Sequence, residues 1–133
     1  MTMDYVARIQ EWQKQSQYDL ETAQAMLKTG RYVYCIFMCH LLIEKTLKGL
    51  YLQNLKEPPP KIHSLVYLAQ VQRLDLSEEI KKFLEKLDEV SVPTRYPDQL
   101  DQLIAVYDAV RTQTVLQETQ EVLACLNKKF LKP

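Results

Sequence analysis

Arg95 and Tyr96 stand in the stretch SVPTRYPDQL, residues 91–100, with Pro93 on one side and Pro97 on the other. Proline fixes its own φ and restricts the residue before it, so this segment predicts a stiff loop that presents its side chains from a preorganised backbone. A guanidinium held in that way can fork onto a carboxylate or a phosphate. On the ligand reading Arg95 holds a phosphate, with Tyr96 and Asp98 beside it in the same stretch. On the structural reading Arg95 pairs with Asp19, Glu44 or Asp98 and pins the loop to the rest of the chain.

His40, Glu44 and Lys48 recur at four-residue steps, so on a helix they lie along one side as ring, carboxylate and ammonium. Such a row could line a polar groove. Equally, Glu44 and Lys48 could form a helix ion pair, with His40 a hydrogen-bonded core histidine. His63 follows three prolines and precedes a helix, where its ring could bond a backbone group, cap the helix start or touch a ligand.

With two histidines the chain offers no Ser-His-Asp order, and it has neither a glycine-rich phosphate loop nor a paired-cysteine zinc pattern. His40 and Glu44 lack a third ligand, so neither a metal nor another cofactor is expected. Cys35, Cys39 and Cys125 are odd in number, and the start of the chain does not read as a leader, which points to reduced thiols in a cytoplasm. Cys35 and Cys39, four apart, read as core packing.

The elements that must position these groups are helices. A chain of 133 residues suits a single domain, 1–133. Its 17 Lys+Arg balance 17 Asp+Glu, leaving no net field to draw nucleic acid to the whole surface, so any such contact must come from a local patch. The longest apolar run, Val33–Ile43, falls short of the roughly 20 residues a membrane span needs, so no membrane partner is expected.

Tyr5, Ile9, Trp12, Ser16, Leu20, Ala23 and Leu27 form one stripe of a first helix that Gly30 stops. From Arg31 to about Leu55 a second helix is apolar round most of its circumference and should be central. The prolines of EPPPKIHS break the chain, a short helix spans about 65–72, and Ser77 caps another helix with Ile80, Phe83, Leu84, Leu87 and Val90 inward. Residues 98–111 are open between loop, short helical turn and the start of the last helix. Thr114 with Gln117 has the form of a capping box, followed by a stripe of Leu116, Val122, Leu123, Leu126 and Phe130.

The ordered set YDLETAQAML, GRYVYCIFMCHLLIEKTLKGLYL, PPPKIHSLVYL and RYPD resembles the HEPN family of small helical domains, over nearly the whole chain. The most specific pieces are LIEKTLKGL, the proline-then-HSL junction and RYPD, in family order. The resemblance implies an all-α, up-and-down bundle of four to five helices, of the kind that serves as a nucleotidyltransferase substrate-binding subunit. Such domains usually dimerise with their arginine loops along a shared cleft, which Arg95 would face. Many relatives are metal-independent ribonuclease toxins in which a histidine follows the arginine within a few residues. Here YPDQLDQL follows Arg95, and no imidazole is available there as acid or base.

Relatives with the RYPD form are encoded beside a minimal nucleotidyltransferase. The expectation is therefore a noncatalytic, cytoplasmic homodimer that binds a nucleotide or RNA and partners such an enzyme in a toxin-antitoxin-like pair. Its site residues would be Arg95, Tyr96, Asp98, Glu44, Lys48, His63 and His40. Two alternatives remain open. One is a ribonuclease toxin in which Arg95 stabilises the phosphorane and His40 or His63 replaces the missing histidine. The other is a structural dimer or adaptor whose apolar stripe docks a partner helix.

Overall fold

The structure, a computed structural model, describes residues 3–91 and 96–132. Six α-helices follow one another among the described residues: α1 (Met3–Lys28), α2 (Tyr32–Leu55), α3 (Leu65–Val71), α4 (Glu78–Ser91), α5 (Leu100–Val106) and α6 (Ala109–Asn127). A 3₁₀ turn, Pro97–Gln99, leads into α5. The all-α bundle expected from the sequence is the fold observed, with α5 a short addition to the long helices.

The chain turns between α1 and α2 at Gly30. Its φ of +75° is a conformation that an L side chain resists, and Arg31 N–H reaches back to the Met26 carbonyl at 2.8 Å to close the helix end. α2 then runs back along α1. The buried hydroxyls of Ser16 and Thr46 meet at 2.6 Å beside the Leu42 carbonyl, and Tyr5 Oη donates to the Lys56 carbonyl at 2.8 Å.

The all-round apolar character of α2 is explained by its neighbours, since α1, α3, α4, α5 and α6 all pack against it. Ile36, Leu42, Ile43, Leu47 and Leu50 of α2 are fully buried among Leu20 and Ala23 of α1, Leu65 and Leu68 of α3, Leu84 and Leu87 of α4, and Leu123 and Leu126 of α6. Each such side chain contributes about 1.5–3 kcal/mol when removed from water. Cys35 and Cys39 belong to the same core as free thiols. Near the far end of α2, Gly49 lets α1 approach: a Cβ there would stand 3.0 Å from Trp12 Cβ and 3.2 Å from Phe130 Cζ.

The capping box expected at Thr114 is not a helix start. The cap of α6 lies six residues earlier, where Asp108 takes that position and its Oδ1 accepts the Arg111 N–H at 2.8 Å. Thr114 lies inside the helix and donates its hydroxyl to the Val110 carbonyl at 3.0 Å, the back-bond by which a mid-helix threonine satisfies itself. The open stretch 98–111 resolves into the 3₁₀ turn, α5, which buries only Leu103, and the first residues of α6. Ser77 caps α4 as expected, accepting the Ile80 N–H at 3.2 Å. Arg95, together with Val92, Pro93 and Thr94, lies outside the described residues. Among the described residues no helix is long and apolar enough to cross a membrane.

Candidate functional site

Four of the residues singled out in the sequence meet where α2, the loop before α3 and α4 come together. His40, Glu44 and Lys48 follow one another along one side of α2, and all three are buried, at 1%, 4% and 7% exposure. Lys48 Nζ donates to Glu44 Oε2 at 2.9 Å. His63 Nδ1 lies 3.0 Å from the same oxygen. A carboxylate oxygen only accepts, so the hydrogen of that bond is placed on His63 Nδ1 by its partner. The His63 side chain is 66% exposed, which makes it the member of the group that faces solvent.

On the other side of the row, His40 Nε2 stands 3.0 Å from Asp88 Oδ1 and donates to it for the same reason. Its Nδ1 is 3.7 Å from Glu44 Oε1, inside ion-pair range and beyond hydrogen-bond length. The Glu44–Lys48 ion pair and the hydrogen-bonded core histidine are thus the arrangement that α2 adopts.

Asp88 gathers the remaining bonds. Its Oδ1 accepts the Leu65 N–H at 2.9 Å, and its Oδ2 accepts the Val66 N–H at 3.1 Å and the Ser64 hydroxyl at 3.2 Å. Ser64 in turn caps α3, its Oγ accepting the Tyr67 N–H at 3.1 Å. Burial works against the Asp88 carboxylate, but the hydrogen bond from His40 and those from Leu65 and Val66 outweigh it and hold its carboxyl below the usual carboxylate range. Nothing in the sequence marks Asp88, one acid among several on EEIKKFLEKLDEVS. The signal that could have found it is a need for acceptors: the first N–H groups of α3, a helix of seven residues, require partners from elsewhere.

Tyr96 and Asp98 stand apart from this network, exposed at the entry to the 3₁₀ turn. The Tyr96 ring is 54% exposed, and the Tyr96 carbonyl accepts the Gln99 N–H at 3.3 Å. Just beyond, a cavity of about 180 Å³ opens between the start of α2 and α5, lined by Arg31, Tyr32, Tyr34, Leu100, Ile104 and Tyr107. Among the described residues no group of three His, Cys, Asp or Glu side chains stands where one metal ion could be shared.

A helical bundle built round one enclosed helix, with a polar row buried beneath a solvent-facing histidine, defines a class of small all-α domains. The chain belongs to the HEPN domain family, whose model matches residues 9–129. Its fold is similar to that of TT1696 from Thermus thermophilus, known as a crystal structure, with a TM-score of 0.79 and 27% identity over 92% of this chain and 98% of that one. No curated protein matches the chain.

Proposed function

We propose that the protein is a noncatalytic HEPN module that binds a nucleotide or RNA through Arg95, as a homodimer, and partners a minimal nucleotidyltransferase in a toxin-antitoxin-like pair. The observation that supports this reading is the polar network near the end of α4, the helix that directly precedes the RYPD stretch in the chain. α4 ends at Ser91, and Asp88, within the last turn of that helix, is bonded to Ser64, Leu65 and Val66, next to His63. Arg95 follows Ser91 by four residues, a reach of at most about 14 Å for any extended chain. The RYPD stretch thus follows directly in the chain on the helix whose Asp88 anchors the loop behind His63.

Two of the carboxylates weighed for a structural role of Arg95 already have partners. Of the three carboxylates that could have pinned it, Asp19 is paired with Lys45 and Glu44 with Lys48 and His63, while Asp98 lies exposed. The exposed Tyr96 ring and the tyrosines of the neighbouring cavity are surfaces on which a base can stack. The partner enzyme and the dimer rest on the RYPD resemblance.

The test is a titration of labelled RNA and of adenine nucleotides into the wild type and Arg95→Ala at two salt concentrations. Saturable, salt-weakened binding that Arg95→Ala abolishes is the expected result. Equal binding by both proteins, or none by either, overturns the reading.

A second reading, the ribonuclease toxin, is favoured by one observation: His63 is exposed and carries a carboxylate on its Nδ1. His40, enclosed at 1% exposure, is out of reach of any substrate, so that reading now runs through His63 alone. Cleavage of total RNA by the metal-stripped wild type and not by Arg95→Ala would replace the first reading with the second.

A further inference from the structure

We propose that the hollow between α3 and α4 is a binding site for a small organic acid: Arg73 and Lys81 hold its carboxylate while its apolar body lies over Ala69, Leu76 and Leu84. The site goes beyond the proposed nucleotide binding, and of the residues weighed for that role none that the structure describes lines it.

The cavity measures about 300 Å³, at the lower end of the range that small-molecule ligands occupy. Ala69, Leu76 and Leu84 are buried and form its apolar wall. Arg73, Lys81 and Glu85 are exposed and line it as well, so two cations stand there against one carboxylate. A ligand that satisfies both surfaces carries a negative charge at one end and an apolar group at the other.

The distinctive residue is Arg73. α1 and α3 end with the same turn. In α1, Gly30 N–H donates to the Leu27 carbonyl at 3.3 Å and Arg31 N–H to the Met26 carbonyl at 2.8 Å. In α3, Arg73 N–H donates to the Gln70 carbonyl at 2.9 Å and Leu74 N–H to the Ala69 carbonyl at 3.2 Å. The pivot is left-handed in both, with φ +75° at Gly30 and +54° at Arg73. Glycine suits that conformation, whereas a residue with a Cβ resists it. Lys56 is the other non-glycine residue with a positive φ among the described residues, and it does not line this cavity. Arginine thus ends α3 against the preference of its backbone, and its side chain makes no hydrogen bond or ion pair among the described residues.

The turn is tied down on both sides. Gln72 Nε2 donates to the Leu47 carbonyl of α2 at 2.9 Å, and Lys129 Nζ donates to the Asp75 carbonyl at 3.0 Å. Arg73 is therefore an unpaired cation on a fixed backbone, a preorganisation that lowers the entropy lost on binding. Lys81 is 3.4 Å from Glu78 Oε1, a contact between exposed groups that leaves its ammonium free to turn to a ligand. A guanidinium forks onto a carboxylate, and the ammonium adds a point charge beside it.

The experiment titrates 4-phenylbutyrate, its neutral counterpart 4-phenylbutanol and inorganic phosphate into the wild type and Arg73→Gly, followed by NMR of the methyl groups. With 4-phenylbutyrate the Ala69 and Leu84 methyl signals should move saturably, with a Kd of about 1 mM or below. The alcohol should bind about tenfold more weakly, the size of one hydrogen bond to a charged group, and phosphate should leave these methyls unmoved.

Arg73→Gly separates the proposal from a structural role. Glycine relieves the turn, so Tm should rise by about 3 °C while the affinity for 4-phenylbutyrate falls about tenfold. Acid and alcohol that bind equally, methyls that stay unmoved at about 10 mM 4-phenylbutyrate, or an Arg73→Gly protein that keeps its affinity each overturn the proposal, and none of them bears on nucleotide binding.

Discussion

A carboxylate that is 4% exposed holds, at 3.0 Å, an imidazole that is 66% exposed: Glu44 anchors His63 from inside the bundle. The two are 19 residues apart in the chain, and the connection crosses from the enclosed helix to the rigid proline loop. Glu44 also accepts from the Lys48 ammonium, so one buried charge serves both a helix neighbour and a surface ring.

Removing one half of the Glu44–Lys48 pair should therefore be severe. Glu44→Ala leaves the Lys48 ammonium, 7% exposed, without its counter-charge, and the expected loss is about 3–5 kcal/mol. The double variant Glu44→Leu with Lys48→Met should recover much of that. Urea denaturation of the three proteins checks the order; a Glu44→Ala protein as stable as wild type would contradict the buried-pair description.

Asp88→Ala should destabilise by about 2–3 kcal/mol, because it strips acceptors from His40, Ser64 and the Leu65 and Val66 amides at once. Asp88→Asn should fall between, since an amide oxygen can still accept from one side. Thermal unfolding of both against wild type is the measurement.

Acidification should act through the same residue. The folded carboxyl of Asp88 is held below its ordinary value, so its contribution is complete above the unfolded pKa of about 3.9 and disappears as the pH falls through the folded one. Stability followed from about pH 6 to about pH 2 should therefore show a loss below about pH 4 that is smaller in Asp88→Asn. Parallel curves for the two proteins would count against the assignment.

Gly49→Ala tests the closeness of α1 to α2. The new methyl would meet Trp12 Cβ, an atom fixed to the backbone, at 3.0 Å, so α1 must shift, at a cost of about 1–3 kcal/mol. A gain in stability, as expected for alanine at an uncrowded helix site, would show that the helices yield easily.

The start of α6 can be probed with two substitutions. Asp108→Ala should cost about 1 kcal/mol through loss of the bond to Arg111 N–H, whereas Thr114→Ala should cost little because its hydroxyl bonds within the helix. The reverse order would restore Thr114 as the cap.

Much of this architecture could be read from local chemistry. Gly30 ends α1 with the positive φ that glycine permits, Ser77 caps α4, and the apolar circumference of α2 announces a helix surrounded by others. The polar row His40, Glu44, Lys48 was legible because four-residue spacing is a property of one helix. What escaped was whatever depends on two elements meeting. Asp88 looks like any surface acid until α3 is laid against α4, and a threonine with a glutamine three residues on imitates a helix start that Asp108 already provides. The link from His63 to Glu44 was invisible for the same reason, since only the folded loop brings the ring to the carboxylate.

The bonds from Leu65 and Val66 to Asp88 carry a consequence for how the bundle breathes. α3 has seven residues, too few to persist as a helix by itself, and its opening amides are satisfied by a carboxylate that belongs to α4. The two helices consequently share one opening event. Deuterium should enter the Leu65 and Val66 amides at the rate at which α4 lifts away, and a ligand seated against His63, one residue before the α3 cap, would slow exchange in both helices together.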